Sequence, residues 1–148
     1  MELEFCKILE QLVIDYLEPL KEQYSNYNLN FESLSFPQDD DSYMIEIKGF
    51  HKNEYDDTKT TPFVLLRLFV LFECNQIHIT NIFIPSFMKH NGIGKKLIQK
   101  IFILANVVKY SLFLVDMVPS FYDKMIARGA SPCIDCDDAV EITPNTLL

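Results

Sequence analysis

From residue 3 to residue 20 the chain sets Leu3, Phe5, Ile8, Leu9, Leu12, Val13, Tyr16, Leu17 and Leu20 three and four positions apart. Glu4, Lys7, Glu10, Gln11, Asp15 and Glu18 fall between them, so the segment predicts an amphipathic helix with one apolar stripe. Pro19 has no amide proton and crowds the preceding turn, and the helix is expected to kink or end beside it. A polar stretch, 23–28, leads to a short strand over 30–36. After Pro37 and the Asp39-Asp40-Asp41 loop, Tyr43, Ile45 and Ile47 alternate with Met44, Glu46 and Lys48, the period of a half-buried strand. Residues 52–61 read as a charged loop. Two nearly continuous apolar runs, 63–73 and 76–84, rich in β-formers and separated by Cys74-Asn75, predict a central antiparallel pair. Pro85 ends the second, and 86–91 is a connector. Ile93, Leu97, Ile101, Leu104, Ala105 and Val108 then recur at helical spacing, so a second helix starts at or beside Gly92. A buried strand over 110–118, a short helix over 120–128 closed by Gly129, and a last strand over 139–143 complete the pattern. The reading is one α/β (α+β) domain over 1–148, with a mixed, mostly antiparallel central sheet flanked by helices.

Charge changes this picture in one place. Thirteen Lys and Arg against twenty-one Asp and Glu give a net charge of −8, which disfavours nucleic acid or an anionic membrane surface as a partner. The acids are not spread evenly. None lies in the 42 residues from Cys74 to Val115, which hold Lys89, Lys95, Lys96, Lys100 and Lys109. No run reaches the length of a membrane span, and Glu2, Glu4 and Glu10 do not suit a signal peptide, so a cytoplasmic protein is expected. Cys6, Cys74, Cys133 and Cys136 are then expected as free thiols. Cys133-x-x-Cys136 lacks a second ligand pair for zinc, and no metal site is expected.

Lys95 and Lys96 would sit in the first turn of a helix, where the macrodipole is already positive, and this placement asks for a compensating anion. Lys89-His90-Asn91-Gly92-Ile93-Gly94 precedes them. Two glycines one residue apart at a strand-to-helix junction let amides turn inward and approach a ligand closely, which is how a helix N-terminus cradles phosphate. A tight turn is the alternative reading. A dinucleotide fingerprint is disfavoured because position 97 is Leu instead of a third glycine, and a P-loop because no Gly-Lys-Ser/Thr ending follows.

These residues resemble the GNAT superfamily of acyl-CoA-dependent N-acyltransferases. Asn81-Ile82-Phe83-Ile84-Pro85 followed by Lys89-x-x-Gly92-x-Gly94 and Lys95-Lys96-Leu97-Ile98 is similar to the family's strand, Gln/Arg-x-x-Gly-x-Gly/Ala turn and helix. Phe121-Tyr122-Asp123-Lys124-Met125 looks like its later Phe-Tyr helix. The resemblance covers about 63–143. Lys89 stands for the usual Arg or Gln, Gly129 falls later than the family's glycine, and 1–25 matches poorly, with no counterpart of the family's first strand.

The resemblance implies acetyl-CoA as acyl donor and N-acetyltransferase activity on a primary amine. It implies that backbone amides from Lys89 through His90, Asn91, Gly92, Ile93 and Gly94 to Lys95 hold the pyrophosphate, with Lys89, Lys95 and Lys96 steering the phosphates. Ile82 and Ile84 would bind the pantetheine arm and polarise the thioester carbonyl, and Tyr122 would protonate the departing thiolate. Glu73 and His78 are the nearest candidates for the base that deprotonates the amine, each with an ordinary structural alternative. The acceptor, a small molecule or a protein amine, is expected to be cationic because the rest of the chain is acidic. A homodimer through the opening helix and central strands would suit the sequence. Two other readings stay open: a non-catalytic GNAT-like module that binds coenzyme A or a partner protein, and a plain α/β domain with no coenzyme A site.

Overall fold

The computed structural model describes residues 2–148. The opening apolar stripe forms α1 (Glu2–Gln23), whose Phe5, Cys6, Leu9, Val13, Leu17 and Leu20 are buried. Pro19 does not end it. The stripe continues through Leu20 to Tyr24, both buried, and the Tyr24 amide donates to the Leu20 carbonyl at 2.9 Å, so tertiary packing outweighs the roughly 3 kcal/mol an interior proline costs.

After a 3-10 turn (Ser25–Tyr27), β1 (Asn30–Pro37), β2 (Ser42–Lys52), β3 (Thr60–Leu71) and β4 (Gln76–Ile82) form an antiparallel meander. A second 3-10 turn (Ser86–Met88) leads to α2 (Ile93–Val107), then β5 (Ser111–Leu114), α3 (Pro119–Ala127), β6 (Ser131–Pro132) and β7 (Val140–Ile142). The seven strands make one sheet in the order β1-β2-β3-β4-β5-β7-β6, with β4 and β5 parallel and the other pairs antiparallel. The single mixed α/β domain is therefore the architecture expected from the pattern.

Three details differ from the sequence reading. The apolar run 110–118 pairs only over Ser111–Leu114, because Asp116 turns into the left-handed region at φ 54° and carries the chain off the sheet. β2 is buried on both faces from Ser42 to Ile47, Glu46 included, and is not half-buried. The two-residue β6 follows α3 and had no apolar period to reveal it.

α1 and α2 lie together on one face. Phe5 meets Tyr110, beyond the end of α2, at 5.2 Å between ring centroids, and the Tyr16 hydroxyl donates to the Ile93 carbonyl at its start at 3.0 Å. The two helices therefore run antiparallel. Beneath them Ile45, Ile47, Leu66, Leu68, Ile77 and Ile79 form the core with Leu9, Leu17, Leu97 and Ile101, and Met125 of α3 joins the same cluster. α3 closes on a Schellman motif: Ala130 N–H donates to Met125 O at 3.0 Å and Gly129 N–H to Ile126 O at 2.9 Å. Gly129 has φ 93°, and a Cβ there would come 2.8 Å from the Asn145 carbonyl oxygen, so only glycine fits.

Candidate active site

The site grows from an irregularity in β4. Leu68 pairs with Ile79 but Arg67 with Asn81, so Thr80 is an extra residue, a β-bulge that bends the strand. Past it, Phe83 N–H donates to the Leu65 carbonyl of β3 at 2.9 Å. Amides along an extended strand point alternately to its two edges, so those of Ile82 and Ile84 face the other way, towards β5. There they meet no strand. β4 and β5 pair only from Gln76↔Ser111 to Ile79↔Leu114, with a last bond from Val115 N–H to Ile79 O at 3.0 Å. Beyond that point the strands part around a cavity of about 140 Å³, lined among others by Asn81 and Ile82, by Leu114, Asp116 and Met117, and by Phe121 of α3.

The start of α2 stands beside this split. Gly94 packs on the end of β4, where a Cβ would lie 3.5 Å from Cγ1 of Ile84 and 3.7 Å from Cδ1 of Ile82. His90 (φ 67°) and Gly92 (φ 71°) are both left-handed, which alternates the backbone as in an anion nest. Lys96 N–H makes the first helical bond, to Gly92 O at 2.9 Å, and among the described residues the amides of 90 to 95 donate to no backbone or side-chain acceptor. Lys89 differs from the expectation, since its amide is taken by the Ser86 carbonyl at 3.3 Å. The open row is thus His90, Asn91, Gly92, Ile93, Gly94 and Lys95. Nothing lies within 4 Å of a Cβ built on Gly92, so that side of the turn is free.

The loop is held from behind. Asn91 Nδ2 donates to the Tyr24 hydroxyl at 2.8 Å, which occupies its side chain and leaves its amide. Tyr16 fixes the Ile93 carbonyl, and burial pushes its phenol above the ordinary 10.0. Lys89 and Lys96 are exposed and Lys95 half-buried, and none has an acidic partner within salt-bridge distance among the described residues.

The remaining candidates fall less neatly. Tyr122 lies on α3, half-buried against the core, and it is its neighbour Phe121 that lines the cavity. Glu73 sits in the β3–β4 turn, at the opposite end of the sheet from the split. His78 is half-buried on β4, with Nε2 2.8 Å from Gln76 Oε1 and its ring 5.4 Å from that of Phe113. Burial lowers its pKa below the ordinary 6.5, against a smaller opposing pull from Asp116. Sequence reasoning missed Asp116, the one carboxylate lining the cavity, because it treated 110–118 as a continuous strand. It also missed a chain of rings from Tyr27 through Phe87, His51 and Phe63 to Phe83, with successive centroids 4.1 to 6.0 Å apart, contributed by five separate segments. His51 Nδ1 lies 2.8 Å from the Lys52 carbonyl, to which it can only donate.

Among the described residues no cluster of His, Cys, Asp and Glu is arranged to hold a metal ion, and no helix is long and apolar enough to cross a membrane. No family model matches the chain, and no curated protein matches it. Among solved structures it is similar to the crystal structure of a "putative acetyltransferase" from Agrobacterium tumefaciens, at 11% identity and a TM-score of 0.36, over 84% of this chain and 81% of that one.

Proposed function

We propose that the chain is an N-acetyltransferase of the GNAT type, moving an acetyl group from acetyl-CoA to a primary amine. The observation that carries this is the meeting of two sets of open amides. Ile82 and Ile84 face a split in the sheet, and the row from His90 to Lys95 opens beside them, with Gly94 packed on both isoleucines. A pyrophosphate suits the second set and a pantetheine arm, itself an amide chain, suits the first. The residues present therefore fit the donor.

In the proposed reaction the amine nitrogen attacks the thioester carbonyl carbon, the C–S bond breaks, and the thiolate takes a proton. An amide aimed at the carbonyl oxygen from the open edge of β4 stabilises the charge that develops there. Asp116 sits where a carboxylate draws in an ammonium and accepts its proton, and the ring chain ending at Phe83 favours a cationic acceptor through ring faces. Tyr122 remains the proposed proton donor to sulfur. The position of Phe121 in the cavity lining supports the second reading, a module that binds coenzyme A without turnover.

Thermal unfolding with acetyl-CoA at about 100 times Kd tests the donor site, where linkage gives roughly 2.7 kcal/mol of stabilisation. The shift should vanish in a Gly92→Val, Gly94→Val variant. Release of free thiol with a panel of amines then separates enzyme from module. A shift without turnover selects the module, and no shift removes both.

A further inference from the structure

We infer that the sheet face turned away from the helices is the contact surface for a second copy of this chain. The strand registers align Phe36 with Met44, Met44 with Phe69, Phe69 with His78, and His78 with Phe113, one uninterrupted rung across β1 to β5. None of its apolar members belongs to the core cluster that the three helices cover. Leu71 and Leu34 extend the apolar band to either side, and Leu34 and Phe36 are 53% and 42% exposed. A sheet normally buries an apolar face against another layer, and a bare antiparallel face is normally polar.

Charge and area point to a second copy as the occupant. Two chains of net charge −8 repel each other over most of their surface. On this face Glu46 is bonded to Arg67 through Nε at 2.8 Å and Glu32 is in register with Lys48, so the acids of β1 and β2 each face a cation; Glu141 of β7, in register with Phe113, is the acid at the far end of the rung. From β1 to β5 the rung carries only the imidazole of His78, which burial holds neutral at pH 7. Five strands of 4 to 12 residues, about 4.8 Å apart, offer a footprint on the order of 500 Å² before side-chain relief is counted. That is the scale of the roughly 800 Å² per partner of a stable interface. A flat, neutral, self-similar band meets its own copy across a two-fold axis, with the two sheets stacked about 10 Å apart.

Sedimentation equilibrium of the full chain tests this. The wild type is expected at twice its 17.3 kDa mass at tens of micromolar. Leu34→Glu with Phe36→Glu, both at exposed positions, is expected to give a monomer with unchanged far-ultraviolet circular dichroism. Leu3→Glu with Ile8→Glu, on the exposed side of α1 at 52% and 51%, is expected to leave the dimer intact. A monomeric wild type, a dimer that survives the sheet-face change, or one that dissociates on the α1 change instead would each overturn the inference.

Discussion

The Phe83 amide gives its proton to the Leu65 carbonyl at 2.9 Å, and this bond turns the amides of Ile82 and Ile84 towards the gap beside β5. The two kinds of amide should therefore respond differently to proline. In Phe83→Pro the bond to β3 is lost and the Leu65 carbonyl is left without its donor, and a cost of about 1–3 kcal/mol is expected in urea unfolding. Ile84→Pro removes an amide with no partner among the described residues, so its stability loss should match that of Ile84→Ala, which removes the same half-buried side chain and keeps the amide. If the amide stabilises a developing oxyanion, its removal should lower kcat on the order of 100-fold, read by thiol release. Equal turnover in wild type and Ile84→Pro would mean that the open edge of β4 takes no part.

Gly92 and Gly94 share a motif but not a reason. At Gly92 the space around a Cβ is empty and the φ of 71° is the obstacle, so Gly92→Ala should cost about 1 kcal/mol from backbone strain alone. At Gly94 the backbone is helical and a methyl group makes ordinary contact with Ile84, so Gly94→Ala should fold as stably as the wild type. Its effect should appear only with acetyl-CoA, as a smaller upward shift in Tm, because the methyl group stands between the helix start and the open edge of β4. Calorimetric scans of both variants, with and without the donor, separate the two.

His78 should make stability depend on pH. Its folded pKa lies below the ordinary 6.5 because burial disfavours the imidazolium. The unfolded chain therefore binds the proton more readily, and stability rises with pH between the two values. The contribution is complete above about 6.5 and is lost as pH falls towards the lower, folded pKa. Many carboxylates titrate just below this window, so the difference between wild type and His78→Gln isolates it: the variant's urea midpoint should fall less steeply from pH 7 to pH 5.5. Parallel pH profiles would contradict the burial assigned to this ring.

What the sequence disclosed and what it hid follow from the range of the interactions. α1, α2 and the central strands were legible because their apolar residues repeat at 3.6 or 2, a signal carried by neighbours in the chain. The glycine turn was legible because its backbone demands few residue types. Pro19 misled because the decisive contacts of Leu20 and Tyr24 are with distant segments. The early end of β5 was hidden because Val115, Met117 and Val118 are as apolar as a strand, and only the φ of Asp116 breaks it. The double burial of β2 depends on Arg67, twenty-one residues away, reaching Glu46. Phe121 and Tyr122 could not be told apart as cavity residues, since one step on a helix is a rotation of about 100° whose origin only the packing sets.

Glu46 and Arg67 provide the last prediction. The glutamate is 7% exposed, and its carboxylate accepts from Arg67 Nε at 2.8 Å on the face away from the helices. In Arg67→Ala the carboxylate keeps its burial and loses its partner. A fully buried pair would then cost about 3–5 kcal/mol, but the arginine side chain is 40% exposed and water can replace part of it, so about 2 kcal/mol is expected. Replacing both residues, Glu46→Met with Arg67→Leu, removes the unpaired charge and fills the same space, and most of the loss should be recovered. Unfolding must be followed below the dimer dissociation concentration, because the double variant also makes the sheet face more apolar and would gain stability from self-association. A double variant as unstable as Arg67→Ala under those conditions would show that the arginine's aliphatic stem over the sheet contributes more than its charge.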